Sequence, residues 1–153
     1  MSITKNCLPR EMTIFHKIGE TDGVATYHKT YIKNVRLDER LAVNQNNTGE
    51  KTLETFRAFI DLKSSIATDG QNRQTYISSE IFQTLSSSER EEYWTVCEGD
   101  YVFPLIVSAE DAAKSVTILK NKMRVFTVNS FSVQYDSHGI HHLEVSGRGK
   151  LLE

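Results

Sequence analysis

Three histidines near the C-terminus have the residue type and spacing that come nearest to a metal site. His138, His141 and His142 lie close together in the sequence. Successive side chains of a β-strand point to opposite faces, so the adjacent His141 and His142 cannot easily share one ion. A site made by His138, His141 and Glu144 requires the chain to fold back on itself. The pattern therefore favours ordinary strand histidines, and we expect no metal site.

Cys97 is a candidate nucleophile, because thiolates attack carbonyl and disulfide groups. Its sequence neighbours include Trp94 and Glu98 but no local base. A nucleophilic role needs a distant histidine, and nothing in the sequence points to one. A buried, unreactive thiol is the favoured interpretation.

Two other segments have the composition of ligand sites but not the required pattern. Gly147–Lys150 lacks the six-residue frame of a phosphate-binding loop, and the printed sequence has no helix pattern after it. The acidic run Glu89–Glu92 is typical of a solvated helix face. We therefore predict a protein that is not an enzyme and that uses no cofactor.

The composition is that of one soluble globular domain. The 153 residues include 39% hydrophobic and 25% charged residues, and no apolar run approaches the roughly 20 residues that span a bilayer. The N-terminus lacks the apolar core of a secretory signal, so Cys7 and Cys97 are expected to be free thiols in the cytoplasm. A net charge of −2 without a basic cluster argues against dedicated nucleic-acid binding.

The segment Met123–Val145 predicts a long β-hairpin. Two runs rich in Val, Phe and Ile flank Asp136–Gly139, which has hairpin-turn chemistry. The apolar phase flips at Asn129–Ser130, from even positions such as Phe126 to odd positions such as Phe131. The flip fits a β-bulge or a bend around the corner of a small barrel, although a strand buried on both faces gives the same pattern.

The rest of the chain alternates between strand patterns and short helix signals. We predict a mainly β, small barrel-like antiparallel fold with one to three short helices, in a single domain over residues 12–153 after a flexible arm of residues 1–11. Further strands are expected at residues 12–18, 26–37, 55–62 and 100–107. Helix signals begin at Ser79, at Ser88 with capping-box spacing to Glu91, and at Ala109, where the helix is expected to run to Met123 after Ser108 as its cap.

The order of several segments resembles a known family. The segments are Met12–Lys17, Thr30–Val35, Tyr93–Thr95 followed by Glu98–Val102, Val125–Ser130, and His142–Val145 before Gly147. In this order and spacing the chain resembles the head-closure or head–tail connector (neck) proteins of tailed phages and prophages of Gram-positive bacteria. The arm before Met12 is longer than in that family, and Leu143 stands where the family often has tryptophan.

The resemblance implies a structural subunit of the virion neck. Such a subunit forms a homo-oligomeric ring of six or twelve copies, binds a portal or adaptor protein on the head side and a tail-terminator or tail protein on the tail side, and retains packaged DNA. DNA passes through the channel without sequence-specific binding, and no membrane is involved. The protein is expected in the virion neck, after assembly in the host cytoplasm.

Two polar segments suit channel-lining or subunit-contact roles, because polar loops can become ordered on assembly. They span Asp38–Glu54 and Lys63–Thr75, and the candidate residues are Asn44, Asn46, Asn47, Lys51, Ser64, Asp69, Gln71 and Arg73. A tail-terminator or other tail-associated ring protein is an alternative. A small-ligand-binding β-barrel is an alternative of a different class.

Overall fold

The computed structural model describes residues 9–46 and 49–152, and it describes the side chains of residues 9–40 and 54–149. The strands are β1 (Arg10–Thr21), β2 (Val24–Asn46), β3 (Gly49–Asp61), β4 (Ile66–Thr68), β5 (Thr75–Tyr76), β6 (Tyr93–Trp94), β7 (Tyr101–Phe103), β8 (Phe126–Asp136) and β9 (Gly139–Leu152). The helices are α1 (Ser79–Thr84), α2 (Ser87–Arg90), α3 (Ala109–Ala112) and α4 (Val116–Lys122).

Six strands form a closed ring. Strands follow one another in the order β1, β7, β8, β9, β3 and β2, and β2 pairs again with β1. All of the pairings in the ring are antiparallel. Strand β4 pairs with β2 on the edge that faces away from β1. Strands β5 and β6 form a separate parallel pair. The expected mainly β, antiparallel fold is confirmed.

The inside of the ring holds the larger apolar core. Alternate residues of each strand point inward, as the period of two requires. Ile60 and Val128, which the sequence pattern places in the core, are 1% exposed each. The buried members are Met12, Ile14, Ile32, Val35, Leu37, Phe56, Ala58, Ile60, Ala67, Trp94, Val96, Val102, Phe126, Val128, Leu143 and Val145.

A second, smaller core lies on the outer face of β1 and β7, under α3 and α4. Phe15 and Phe103 pack with ring centroids 4.9 Å apart, and Leu119 of α4 is fully buried against them. Lys29 places its ammonium 5.4 Å from the Phe15 ring and donates a hydrogen bond to the carbonyl of Ala112, which fixes α3 to the sheet. These strands are therefore covered on both faces.

The β8–β9 hairpin and its bulge were both predicted. Asp136 pairs with Gly139 across the turn, and the register shifts between Val128 and Ser130. The shift moves the apolar phase from even to odd positions, as expected. Beyond the bulge, Val133 still packs against the main core, whereas Tyr135 is 71% exposed.

A second corner lies at Asn34 of β2, which the sequence pattern did not reveal. Asn34 has a positive φ of 63°, and the register with β1 slips at the same place. Inward positions change there from Ile32 to Val35, so β2 can leave β1 and pair with β3. The Asn34 side chain donates to the Ser64 carbonyl at 3.0 Å, which secures the corner.

The helix predictions need three corrections. The described residues form four short helices, whereas one to three are expected from the sequence. The helix expected from Ala109 to Met123 is split into α3 and α4, because Ser115 accepts a hydrogen bond from the Ile118 amide and caps a new helix. The capping box at α2 joins Ser86 and Glu89, two residues before the predicted pair, since Ser86 adopts the extended N-cap backbone. Ser108 caps α3 as predicted.

Two boundaries also differ from the predictions. The strand expected at residues 100–107 ends at Phe103, because Pro104 cannot donate to a ladder. The flexible N-terminal segment expected at residues 1–11 ends earlier than predicted, because Arg10 and Glu11 already pair with β2. Residues 1–8 lie outside the described part of the chain. None of the helices in that part is both long and apolar enough to cross a membrane.

Candidate functional site

The first predicted loop, Asp38–Glu54, is an extension of the sheet. Asn44 pairs with Lys51 and Asn46 pairs with Gly49, so β2 and β3 form a continuous hairpin. Polar composition is typical of loops, but here the segment continues the pairing of β2 with β3, and the adjoining part of β3 also pairs with β9. We call residues 41–53 the arm. Asn47 lies outside the described residues.

The base of the arm is held by an ion network. Glu39 on β2 accepts from Arg10 at 2.7 Å and lies 3.2 Å from Arg124. Arg124 also donates to Glu54 on β3 at 3.1 Å. Both strands of the arm are thus tied to residues that precede β8 or begin β1. Each pair is partly exposed, so the network positions the arm more than it stabilises the fold.

The second predicted loop, Lys63–Thr75, contains more structure than expected. It includes β4, and Thr68 bridges to Arg73. Asp69 accepts from the backbone of Gln71 at 2.9 Å and Asn72 at 2.7 Å, which forms a compact turn. Burial raises the pKa of Asp69, but these hydrogen bonds outweigh it, so the pKa is lowered overall. The exposed residues of this segment include Ser64, Gln71 and Arg73. The turn follows β4, which pairs with β2.

Three chemistry-bearing side chains meet between β1 and the turn before β7. His16 Nδ1 lies 2.7 Å from Asp100 Oδ2, and the Cys97 sulfur lies 3.7 Å from the same nitrogen. Asp100 also accepts from the backbone amides of Cys97 at 2.8 Å and Lys17 at 3.3 Å. Among the described residues this is the one group of three whose ligand atoms lie within 4.8 Å of one another.

The geometry of this cluster is structural, not that of a catalytic triad. A triad places the nucleophile and the carboxylate on different nitrogens of the histidine, whereas Cys97 and Asp100 both approach Nδ1 of His16. Burial and the nearby Asp100 charge raise the pKa of the Cys97 thiol to about 11, which keeps it protonated. Nothing in the sequence pointed to His16 as the neighbour of Cys97. The thiol, expected to be buried, is half-buried, and its raised pKa fits the expected lack of reactivity. Donors already occupy both carboxylate oxygens, so the cluster ties the β6–β7 turn to β1.

The histidines of β9 are closer together than their spacing predicts. His141 Nδ1 and His142 Nδ1 are 2.8 Å apart. The expectation of opposite faces was wrong here because the register with β8 slips at this point, pairing Tyr135 with Ile140 and Gln134 with His142. His138 sits in the turn, where its amide donates to Asp136. Within the described residues, no third ligand joins the His141–His142 pair.

A cavity of about 350 Å³ opens at one end of the ring. Trp94 and Tyr76 meet edge to face with centroids 5.0 Å apart, and Arg73 lies at the rim. Trp94 is 2% exposed, so most of its surface belongs to the core. The cavity can admit a small apolar group.

Sequence reasoning missed the His16–Asp100 pair and the ion network. The partners are 84 residues apart in the first case and 70 residues apart for Arg124 and Glu54. The available signal was the Glu98–Asp100 turn, because an aspartate at a turn often binds nearby amides. Nothing local indicated that His16 would be its partner.

A family model described as a family of unknown function, DUF6751, matches residues 8–148. No curated protein and no solved structure matches the chain. The family match covers five strands of the ring in full and β9 as far as residue 148. The chain therefore belongs to the DUF6751 family.

Proposed function

We propose that the protein is a structural subunit of a phage virion neck, a head-closure or head–tail connector ring that retains packaged DNA and provides the docking surface for the tail. The observation that carries the proposal is the arm, which extends from a closed six-strand ring. The resemblance of the segments between Met12 and Gly147 to neck proteins supports the same proposal.

The arm has the dimensions needed to reach an axis or a neighbouring subunit. Seven residues of strand separate Glu39 from Asn46, and at roughly 3.3 Å per residue they span about 23 Å. Its tip is rich in Asn and Gln and contains one lysine and one glutamate, Lys51 and Glu50. Such a surface contacts phosphate only weakly, which suits a channel through which DNA must pass.

The assembly that follows is a ring of six or twelve copies between the portal or adaptor and the tail proteins. Asn44, Asn46, Asn47 and Lys51 of the arm are candidates for lining the channel or contacting a neighbouring subunit. Ser64, Asp69, Gln71 and Arg73, around the second turn, are candidates for the same two roles. The protein acts by geometry and not by catalysis, in the virion neck.

The test is a phage that lacks this protein. We expect capsids that package DNA and then lose it, or that fail to join tails, and we expect the wild-type gene in trans to restore infectious particles. A matched variant replaces residues 41–53 with a two-residue turn and leaves the ring intact, and it should fail in the same way. Intact, infectious, tailed particles without the protein would refute the proposal.

Two alternatives predict different results. A tail-terminator ring predicts that the mutant accumulates filled heads together with tails of abnormal length. A small-ligand-binding barrel is favoured by one observation, the cavity beside Trp94 and Tyr76. That alternative predicts quenching of Trp94 fluorescence by a small amphipathic ligand and no virion defect.

A further inference from the structure

Strand β8 loses one of its two neighbours halfway along. The Val128 amide donates to the Asp100 carbonyl at 2.8 Å, and the Val128 carbonyl accepts from Gly99 at 2.8 Å. From Ser130 to Asp136 the strand pairs with β9, but no other strand in the described part of the chain pairs with its second edge. We call residues 130–136 the open edge.

The backbone groups that point out of this edge can be identified from the pairing. Asp136 and Gly139 close a two-residue hairpin, so their backbone groups face each other. Along a strand, the backbone groups of successive residues point alternately toward and away from a given neighbour. Counting back from Asp136, the amides and carbonyls that point away from β9 are those of Tyr135, Val133 and Phe131. None of these groups has a hydrogen bond to another described residue. They present three donors and three acceptors to an incoming strand.

The side chains on this edge lack the features that usually prevent strand addition. Isolated edges are commonly protected by lysine, proline or a covering element. Residues 130–136 contain no lysine or proline, and their one charge is Asp136 at the turn. Large apolar side chains are exposed instead: Phe131 is 36%, Tyr135 71% and Ile140 37% exposed.

We propose that the open edge pairs with residues 41–46 in the arm of a second copy. These residues pair with β3 on one side, and no described strand pairs with their other side. The sequence of this segment has apolar residues two apart, at Leu41 and Val43, and main-chain hydrogen bonds between two open strand edges support strand addition. The contact joins two different surfaces of one chain, which is the heterologous contact that closes a ring.

This inference rests on the proposed ring, but it is tested separately. The photoreactive residue p-benzoyl-phenylalanine replaces Tyr135, whose exposure allows the change, and isotope-labelled and unlabelled copies of the full chain are mixed at high concentration and illuminated. Mass spectrometry of mixed-isotope cross-links distinguishes contacts between copies from contacts within one copy. We expect cross-links from position 135 to residues 41–46 of the other copy. The control places the same residue at Ile118, an exposed position on α4, and should give none to the arm.

A second measurement is independent of the photoreactive residue. Phe131→Glu should weaken self-association by about tenfold or more, because it buries an unpaired carboxylate in the contact, whereas Ile118→Glu should not. Circular dichroism of both variants verifies folding. Absence of inter-copy cross-links, or cross-links that map away from the arm, would overturn the inference. If the protein is nevertheless found in the virion neck, the proposed function survives and only this interface is wrong.

Discussion

His16 and Asp100 form a buried pair that joins β1 to the turn before β7. The imidazole Nδ1 and the carboxylate oxygen are 2.7 Å apart, and the side chains are 5% and 2% exposed. The same carboxylate accepts from the backbone amides of Cys97 and Lys17. The turn continues through Gly99, whose amide donates to Val128 of β8. The Asp100 carboxylate therefore fixes the turn at which β7 begins between its neighbours β1 and β8.

We predict that Asp100→Ala lowers the free energy of unfolding by about 3 kcal/mol or more. The change leaves the buried His16 ring and the Cys97 amide without their acceptor, and each buried polar group left without a partner costs about 1–3 kcal/mol. Urea unfolding measures the difference. Asp100→Asn should be affected less, since it keeps one acceptor oxygen. Glu98→Ala, at an exposed position of the same turn, is the control and should change stability by less than about 0.5 kcal/mol.

We predict that the Cys97 thiol reacts slowly with iodoacetamide until the pH rises well above 9. Burial and the Asp100 charge raise its pKa from 9.0 to about 11, and only the thiolate reacts rapidly. The stability linked to this shift is fully present below pH 9 and is lost as the pH rises through about 11. Alkylation is followed by mass spectrometry in a Cys7→Ser background. A half-maximal rate near pH 8 in the folded protein would contradict the raised pKa of this half-buried thiol.

Features that depend on residues close together in the sequence could be predicted, whereas features that depend on distant residues could not. Alternation at Phe56, Ala58 and Ile60 and the phase flip at Asn129 are local signals, so the strand, the hairpin and the bulge could be predicted. The arm was misassigned because polar composition resembles a loop, whereas strand pairing there depends on the partner strand. The His16–Asp100 pair depends on ring closure across 84 residues, which no local pattern records.

We predict that Val128→Asp yields insoluble protein, whereas Ile118→Asp yields folded, soluble protein. Val128 is 1% exposed inside the ring, and an unpaired buried carboxylate costs several kcal/mol. Ile118 is 52% exposed on α4, so a charge there remains solvated. Expression followed by separation of soluble and insoluble fractions gives the result. Equal solubility of the two variants would place Val128 outside the core.

We predict that Gly147→Ala lowers the free energy of unfolding by about 3 kcal/mol, because β9 approaches β8 too closely at this residue for any side chain. A Cβ on Gly147 would lie 2.6 Å from Cε1 of Phe56 and would collide with the backbone carbonyl of Thr127. The Phe56 ring cannot retreat, since it packs against Phe126 with centroids 4.8 Å apart inside the ring. Gly19→Ala is the matched control, because a Cβ there meets no atom within 4 Å. Chemical denaturation of both variants should show a loss for Gly147→Ala alone; equal stability of the two would mean that the β8–β9 contact is looser than this geometry requires.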